Sequence, residues 1–321
     1  MRLGYYHNRY LENFMTATPF PSKPSLASRV INGILSVKPL AKLAKYQARN
    51  MIINRAEKIG VPWRDNVRQL SNHNWEEELE KVQNPNLVYP DYYVCSFHGY
   101  ETGNLSWESA LEVESAAYAV HASIWPGAGV NGDPRLRHNY HEILKQQLSS
   151  TPQRILDMGC SVGMSTFPLQ AMYPDAKVTG LDLSAYHLAV AHYRSQERNL
   201  AIDWVHGAAE ATNLPETSFD LVSAFLLYHE LPQTAAIAIF KEARRLLKPG
   251  GYFTMMDMNP RAEAYQKMPP YILTLLKSTE PYLDQYFALD IETALQEAGF
   301  NPPKITPISP RHRAIVARVS Q

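Results

Sequence analysis

Residues 154–163 read RILDMGCSVG, and residues 177–184 read KVTGLDLS. Each stretch is a mainly apolar run with an aspartate near its end, Asp157 or Asp182, and the first continues into a glycine-rich turn. Helical patterns connect these runs to three further strand-like runs, which are IDWVH, DLVSAFLL and YFTMMDM. Strands that alternate with helices predict βαβ units, and therefore a parallel sheet with helices on both faces.

The end of the chain follows a different pattern. The strand-like runs KITPIS and AIVARVS, at residues 304–309 and 314–320, are separated only by the turn PRHR. Two strands with so short a connection form an antiparallel hairpin, so we expect the last strand to run against the parallel ones. The chain is thus divided into a helical and aromatic extension, residues 1–133, and a sheet-forming domain, residues 134–321.

The composition excludes several classes of protein. The chain of 321 residues has two cysteines, Cys95 and Cys160, which are too few for a disulfide framework or a zinc-ligand cluster, so no metal is expected. No run of about 18 apolar residues suggests a membrane span, and the first residues lack the apolar core of a signal peptide. These features predict a soluble, cytoplasmic protein.

The charges cancel in total but are unevenly distributed. The whole chain has 31 Lys and Arg against 31 Asp and Glu, whereas residues 1–70 carry twelve basic residues against three acidic ones. The zero total gives no indication of nucleic-acid binding. Two interpretations of the basic part stay open: it packs on the rest of the protein, or residues 26–59 contact an anionic membrane surface. The second would place the protein at the periphery of a membrane.

A basic amphipathic helix is predicted between Pro39 and Gly60. Its charged residues fall largely away from an apolar stripe. The residues assigned to that stripe are Leu40, Leu43, Ala44, Met51, Ile52 and Ile59.

The glycine-rich turn after the first strand predicts a ligand site. Glycines at a strand-to-helix turn let the backbone approach a ligand, and free N–H groups at a helix N-terminus suit a carboxylate or phosphate. A dinucleotide fingerprint needs glycine where Ser161 and Met164 stand, so nicotinamide or flavin binding is disfavoured. Asp182 ends the second strand, where an acid can accept hydrogen bonds from both hydroxyls of a ribose.

Four motifs then carry a resemblance to a known family: LDMGCSVG, VTGLDLS, GAAEATNLPETSFDLV and LLKPGGYFTMMD, in that order. They resemble the class I S-adenosylmethionine-dependent methyltransferases, particularly the small-molecule branch of ubiquinone/menaquinone and sterol methyltransferases. The resemblance covers residues 152–319. It implies an α/β, Rossmann-like fold with a seven-stranded mixed sheet, its last strand antiparallel and helices on both faces. The N-terminal helical and aromatic extension would serve as a substrate lid.

The resemblance also implies S-adenosyl-L-methionine as the cofactor. Its methionine end would lie against Gly159 and the backbone around Ser161, its ribose at Asp182, and its adenine beside Leu183, Ala209 and Glu210. The predicted cofactor-binding residues are Asp157, Gly159, Ser161, Gly163, Asp182, Leu183, Ala209 and Glu210.

Three residues depart from the family's pattern. Ser161 replaces the usual middle glycine, which serine can do if its φ there is negative. Ala208 stands where many relatives have an aspartate that contacts the adenine amino group, so a backbone carbonyl or Glu210 is expected to accept that hydrogen bond. Pro168 lies inside the predicted first crossover helix, where it should kink the helix.

The expected reaction is in-line methyl transfer to a small, lipophilic or aromatic acceptor. Polar residues beyond the fourth and fifth strands should lie at the pocket mouth, and the aromatic segment, residues 91–108, is the predicted substrate cover. His229 is favoured as general base, because an imidazole can change charge near neutral pH. The predicted catalytic residues are His229, Glu230 and Tyr100. The predicted substrate-binding residues are Tyr93, His98, Tyr100, Trp107, Tyr228 and Asp257.

Alternatives stay open for both residues and function. His229 or Glu230 could cap a helix or orient the cofactor instead, and the aromatic residues could pack the N-terminal part onto the sheet. The chain could methylate a protein or peptide, or bind S-adenosylmethionine without turnover as an interaction module. The sequence makes no prediction of oligomeric state.

Overall fold

A computed structural model describes residues 38–96 and 98–321, and it contains a seven-stranded sheet. The strands are β1 (Arg154–Met158), β2 (Lys177–Asp182), β3 (Asp203–His206), β4 (Phe219–Phe225), β5 (Leu247–Met258), β6 (Lys304–Pro307) and β7 (His312–Arg318). Their order in the sheet is β3-β2-β1-β4-β5-β7-β6. The predicted α/β fold class is confirmed.

The pairing of the strands places the site. Strand β1 pairs in parallel with β2 on one side and with β4 on the other. Strand β7 runs antiparallel to β5, with Tyr252 opposite Arg318, and β6 completes the terminal hairpin as predicted. The strand order reverses between β1 and β4, and this reversal opens a crevice at the carboxyl ends of the strands, where open α/β sheets bind their ligands.

Helices surround this sheet. They are α1 (Lys38–Lys58), α2 (Trp63–Ser71), α3 (Trp75–Val82), α4 (Trp107–His121), α5 (Gly132–Gln147), α6 (Thr166–Met172), α7 (Ala185–Glu197), α8 (Gln233–Leu246), α9 (Glu263–Gln266), α10 (Pro270–Thr279), α11 (Leu283–Ala288) and α12 (Ile291–Glu297). The predicted domain boundary at residue 133 falls in the first turn of α5. Among the described residues, no helix combines the length and apolar character needed to cross a bilayer.

The core lies on both faces of the sheet because the strand residues alternate in direction. On one face, Phe240 of α8 packs edge-on against Phe253 of β5. On the other face, Tyr140 and Leu144 of α5 pack in one cluster with Ile155 of β1. Burying each such side chain contributes roughly 1.5–3 kcal/mol, so these layers fix the position of the strand ends.

Helix α1 packs on the body of the protein through a face that agrees only in part with the predicted stripe. Ile53 and Ala56 are buried, in one cluster with Ala119 of α4, whereas Met51 and Ile52 of the predicted stripe are exposed. Of the predicted stripe, Ile59 packs against this cluster whereas Met51 and Ile52 do not. The side chains of Leu40, Leu43 and Ala44 lie outside the described residues. Residues 26–37, the first part of the proposed membrane segment, lie outside the described residues.

The predicted kink at Pro168 is also wrong. Helix α6 begins at Thr166, so Pro168 is its third residue. The first N–H groups of a helix have no intrahelical acceptor, and the proline therefore removes no helical hydrogen bond.

Candidate active site

A cavity of about 660 Å³ occupies the crevice at the carboxyl ends of β1, β2 and β4. Its lining includes the carboxylates Asp182 and Glu210, and also Ile52 of α1 and Leu275 of α10. The aromatic segment covers it through Tyr93, among others. The cavity is large enough for a drug-sized ligand and mostly apolar, as small-molecule sites are.

The turn after β1 brings the backbone close to this cavity. Gly159 has φ +68°, and a Cβ added there would lie 2.7 Å from a Leu227 methyl carbon, so a larger residue would strain the backbone and displace Leu227. Ser161 has φ +51°, and the expectation of a negative angle is therefore wrong. Its hydroxyl is 3.1 Å from Nδ1 of the buried His187. A left-handed serine costs roughly 1–2 kcal/mol, which this contact helps to offset.

Two buried aspartates flank the turn. Asp182 accepts hydrogen bonds from the backbone N–H groups of Ser161 and Ser184, both at 2.8 Å. Asp157 accepts one from the Thr166 hydroxyl at 2.7 Å, while its Oδ1 has no partner among the described residues. Burial raises the pKa of Asp157 to about 7 and that of Asp182 to about 6. Both carboxylates would therefore be stabilised by a cationic ligand.

Glu210 supplies a further acceptor in the cavity lining. Its Oε1 accepts a hydrogen bond from the Tyr92 hydroxyl at 2.8 Å. Its Oε2 is buried and has no partner among the described residues. Ala208 has no polar side chain that could bind a ligand amino group. Oε2 of Glu210 can accept that hydrogen bond instead.

His229 is held by a carboxylate behind the cavity wall. Its Nδ1 lies 2.8 Å from Oδ1 of Asp257, and Oδ2 of Asp257 accepts the backbone N–H groups of Tyr228 and His229. Burial lowers the pKa of His229, but the Asp257 carboxylate outweighs burial and raises it to about 9. The bond at Nδ1 leaves Nε2 for a ligand.

A second charged group lies beside this histidine. His98 Nε2 is 3.3 Å from Oε1 of Glu230 and 3.2 Å from Oε1 of Glu280. Burial lowers the pKa of His98, and the two carboxylates together raise it well above its ordinary value.

The same cluster has residue types that can bind a metal ion. One ligand atom each of His98, His229 and Glu280 lies within 4.8 Å of the others. Nε2 of His98 pairs with Glu230 and Glu280, and Nδ1 of His229 pairs with Asp257. We assign these groups to ion pairs.

The structure brings most of the predicted site residues to one cavity, and leaves some behind its wall. Those that line it are Gly159, Ser161, Asp182, Leu183, Ala209, Glu210, Tyr93, His98, Tyr100, His229 and Glu230. Those that do not line it are Asp157, Gly163, Trp107, Tyr228 and Asp257.

The residues behind the wall have packing partners. The Trp107 ring packs edge-on against Tyr186, and the fully buried Tyr228 stacks on Phe240. Tyr100 lines the cavity, but its hydroxyl donates to Glu112 at 2.9 Å.

Sequence reasoning did not assign three charged residues of the cavity wall to the site: Arg49, Arg137 and Glu280. Arg137 of α5 binds both carboxylate oxygens of Asp133, at 2.8 and 3.2 Å, and its Nη1 donates to Ser165. The spacing of Asp133 and Arg137 is a helical ion-pair signal, but it does not show which way the pair faces. Glu280, just after α10, carries no local signal.

Comparison with known proteins agrees with this geometry. Residues 155–251 match the family model described as "Methyltransferase domain". The chain is 31% identical over 184 residues to a ubiquinone biosynthesis O-methyltransferase of Nitrosococcus oceani, and the alignment covers 54% of this chain and 75% of that protein. It is 31% identical over 173 residues to an uncharacterized methyltransferase of Synechocystis, which covers 53% of this chain and 76% of that protein.

Solved structures also align. One is phosphoethanolamine N-methyltransferase 2 of Haemonchus contortus in complex with S-adenosyl-L-methionine, with 17% identity and a TM-score of 0.49. The alignment covers 69% of this chain and 62% of that one.

The residues present fit S-adenosylmethionine. Its two positive charges suit the buried carboxylates of Asp157 and Asp182, and the unpartnered Oε2 of Glu210 suits an adenine amino group. Gly159 and Ser161, in the turn after β1, both line the cavity, so the backbone of that turn borders the space for the ligand. With this fit, the sheet topology and the two relatives, the chain belongs to the small-molecule branch of the class I S-adenosylmethionine-dependent methyltransferases.

Proposed function

We propose that the enzyme methylates a hydroxyl oxygen of a small lipophilic molecule, with His229 as the group that accepts the hydroxyl proton. The observation that carries this proposal is the His229–Asp257 pair, which presents Nε2 to a cavity whose wall is otherwise largely apolar. Nitrogen and carbon acceptors are possible for the class. Oxygen is supported by the relative whose name is ubiquinone biosynthesis O-methyltransferase.

The donor half of the cavity is proposed to hold S-adenosylmethionine, which when bound supplies a methyl group made electrophilic by its sulfonium. Asp182 would accept hydrogen bonds from the ribose hydroxyls on the lone pairs that Ser161 and Ser184 leave free. Glu210 would accept one from the adenine amino group. Asp157, beneath the turn, favours the cationic end of the ligand through its charge.

The acceptor half is proposed to hold the hydroxyl beside His229. Asp257 keeps the ring proton on Nδ1, so that Nε2 can take the proton of the hydroxyl once the ring is neutral. The pKa of about 9 means that the ring is charged at neutral pH before the acceptor binds. Glu230 is proposed to act by holding His98 over the same half of the cavity, and Tyr100 by shaping its wall.

The outer rim of the cavity supports a lipophilic acceptor. Four aliphatic side chains line the cavity and are also exposed at its edge: Ile52 at 41%, Val120 at 54%, Ile272 at 38% and Leu275 at 42%. An apolar tail that extends from the cavity would cover them, whereas a peptide would bring polar backbone groups against them. We propose that the same rim, with the basic residues of α1, contacts a membrane surface.

Labelled methyl transfer tests this proposal. The purified protein is incubated with methyl-labelled S-adenosylmethionine and with separate lipid and polar extracts. We expect label in the lipid fraction, as a methoxy group by mass spectrometry. Transfer only to polar molecules or to protein would contradict the acceptor class, and donor binding without transfer to any extract would support a non-catalytic protein.

The His229→Ala variant tests the proton acceptor. We expect it to lose about a hundredfold or more in methyl transfer, as is typical when general acid–base catalysis is removed, and to retain donor binding. The exposed His138 of α5 offers a matched control, because His138→Ala removes an imidazole outside the cavity wall. Normal activity of His229→Ala would refute the assigned role.

A further inference from the structure

The aromatic segment is attached to the region around α10 at three points. The His98 backbone N–H donates to the Thr279 carbonyl at 3.2 Å. The His98 ring pairs with Glu280 at 3.2 Å. The Tyr282 hydroxyl lies 3.4 Å from the Tyr92 carbonyl oxygen, which it faces as a donor. These contacts join a segment before the sheet to one inserted after β5, and both segments line the same cavity.

Glu280 is the strongest of these attachments. Its side chain is 9% exposed, so the carboxylate has lost most of its water and needs a partner inside the protein. His98 supplies that partner on Oε1, while Oε2 has none among the described residues. Oε1 of Glu230 lies 3.3 Å from the same Nε2 atom of His98. One nitrogen of the imidazole is therefore shared by a carboxylate after β4 and one after α10.

The same segment reaches the donor end of the cavity. The Tyr92 hydroxyl donates a hydrogen bond to Glu210. The Asn104 carbonyl accepts a hydrogen bond at 2.6 Å from the hydroxyl of Ser184, which lies two residues after Asp182. One covering segment thus contacts the proposed adenine and ribose positions as well as the acceptor position. An attachment at His98 consequently affects access to both ends.

We propose that Glu280 is a positioning residue for methyl transfer, which through His98 holds the aromatic segment closed over the donor and the acceptor. It touches neither reacting atom. Its effect is to keep the bound molecules enclosed and to exclude water from the sulfonium and the hydroxyl. The proposal uses the enzyme's class and does not depend on the identity of the acceptor.

Hydrogen exchange and donor release test this role. Exchange of the amides of residues 91–108 is measured on the free, full-length protein, and the dissociation rate of S-adenosylhomocysteine is measured by rapid dilution. EDTA is present throughout, so that no cation can bridge the cluster. We expect Glu280→Ala to accelerate both about tenfold, and the isosteric Glu280→Gln, which keeps a hydrogen-bond acceptor, to have a smaller effect.

A double variant separates positioning from general loss of stability. If Glu280 acts through His98, His98→Ala combined with Glu280→Ala should release S-adenosylhomocysteine no faster than His98→Ala alone. The matched control is Asp284→Asn, which breaks the Lys277–Asp284 ion pair of the same inserted region without touching the aromatic segment. We expect that control to leave both rates unchanged.

Three results would overturn the proposal. The first is unchanged exchange and release in both Glu280 variants. The second is additive effects in the double variant, and the third is equal acceleration by Asp284→Asn. Hydrogen exchange is measured without any ligand. If the proposed O-methylation is wrong, the exchange result is unaffected, so the two proposals can fail independently.

Discussion

Replacing Asp257 by asparagine should move the pH dependence of methyl transfer. The ordinary pKa of a histidine is 6.5, and that of His229 is raised to about 9, chiefly by Asp257 against the opposing effect of burial. At about 1.36 kcal/mol per pKa unit, its surroundings favour the charged ring by about 3 kcal/mol. Without the Asp257 charge, Glu230 and Glu280 remain, and the pKa should fall toward 6.5.

The direction in which the rate changes with pH follows from the proposed role of His229. A general base must be neutral to accept a proton, so kcat/KM of the wild-type enzyme should rise with pH and level off above about pH 9. In Asp257→Asn the rise should occur nearer pH 6.5. The plateau should also be about tenfold lower or more, because the amide no longer holds the ring as the carboxylate does.

The assay is initial methyl transfer to the identified acceptor between pH 5.5 and 10. The two carboxylate oxygens of Asp257 bind the backbone N–H of Tyr228 and the ring of His229, whereas the asparagine amide has only one oxygen that can accept. The variant could therefore lose stability, so its melting temperature and donor affinity are measured together with each rate. Asp175→Asn, at an exposed aspartate, serves as the control. An unchanged pH profile in a folded, donor-binding Asp257→Asn protein would refute His229 as the titrating base.

The remaining predictions concern the donor site and the rim. The raised pKa values of Asp157 and Asp182, about 7 and about 6, mean that both carboxyl groups are mainly protonated at pH 5.5. S-adenosylhomocysteine should therefore bind more weakly and raise the melting temperature less at pH 5.5 than at pH 8, and equal values would contradict the proposed roles of the two carboxylates. Ser161→Gly removes the cost of a strained φ and also the stabilisation from one hydroxyl contact, and the two free energies are each about 1 kcal/mol. Because they offset each other, calorimetry should show a donor affinity within about threefold of wild type. Leu275→Asp should reduce flotation of the protein with anionic liposomes, while Val88→Asp, at a valine outside the cavity, should not; equal flotation of both variants would argue against the rim as the membrane contact.

The parts of the fold that sequence predicts are those with local signals. The apolar runs around Asp157 and Asp182, separated by a helical pattern, indicate parallel strands because both periodicities are visible in short windows. The terminal hairpin is equally local. The inserted helices α9 to α11 were missed, because their periodicity is short and interrupted by Pro269 and Pro270.

The errors in helix α1 and at Ser161 have physical causes. Met51, Ile52 and Ile53 are consecutive apolar residues, so the sequence does not define which of them faces the body; contact with α4 selects Ile53. Ser161 was expected to avoid a positive φ, yet hydrogen bonds to Asp182 and His187 hold it there. Tertiary contacts outweigh the local preference in both places.

The acceptor side was predicted less completely than the donor side. Donor residues follow strand ends at fixed spacing, so motif and topology place them together. Glu280 and His98 are 182 positions apart and meet only through packing, and Asp257 proves to support His229 from behind the wall rather than to line the cavity.

Calorimetric titration of the purified protein with S-adenosylhomocysteine, beside the Asp182→Ala variant, tests the central claim most directly. We expect stoichiometric binding to the wild type, with affinity at least tenfold weaker in the variant, because a charged hydrogen bond to the ribose contributes about 1.5–3 kcal/mol. No binding to the wild-type protein, or equal affinity in Asp182→Ala, would contradict the assignment of the donor site.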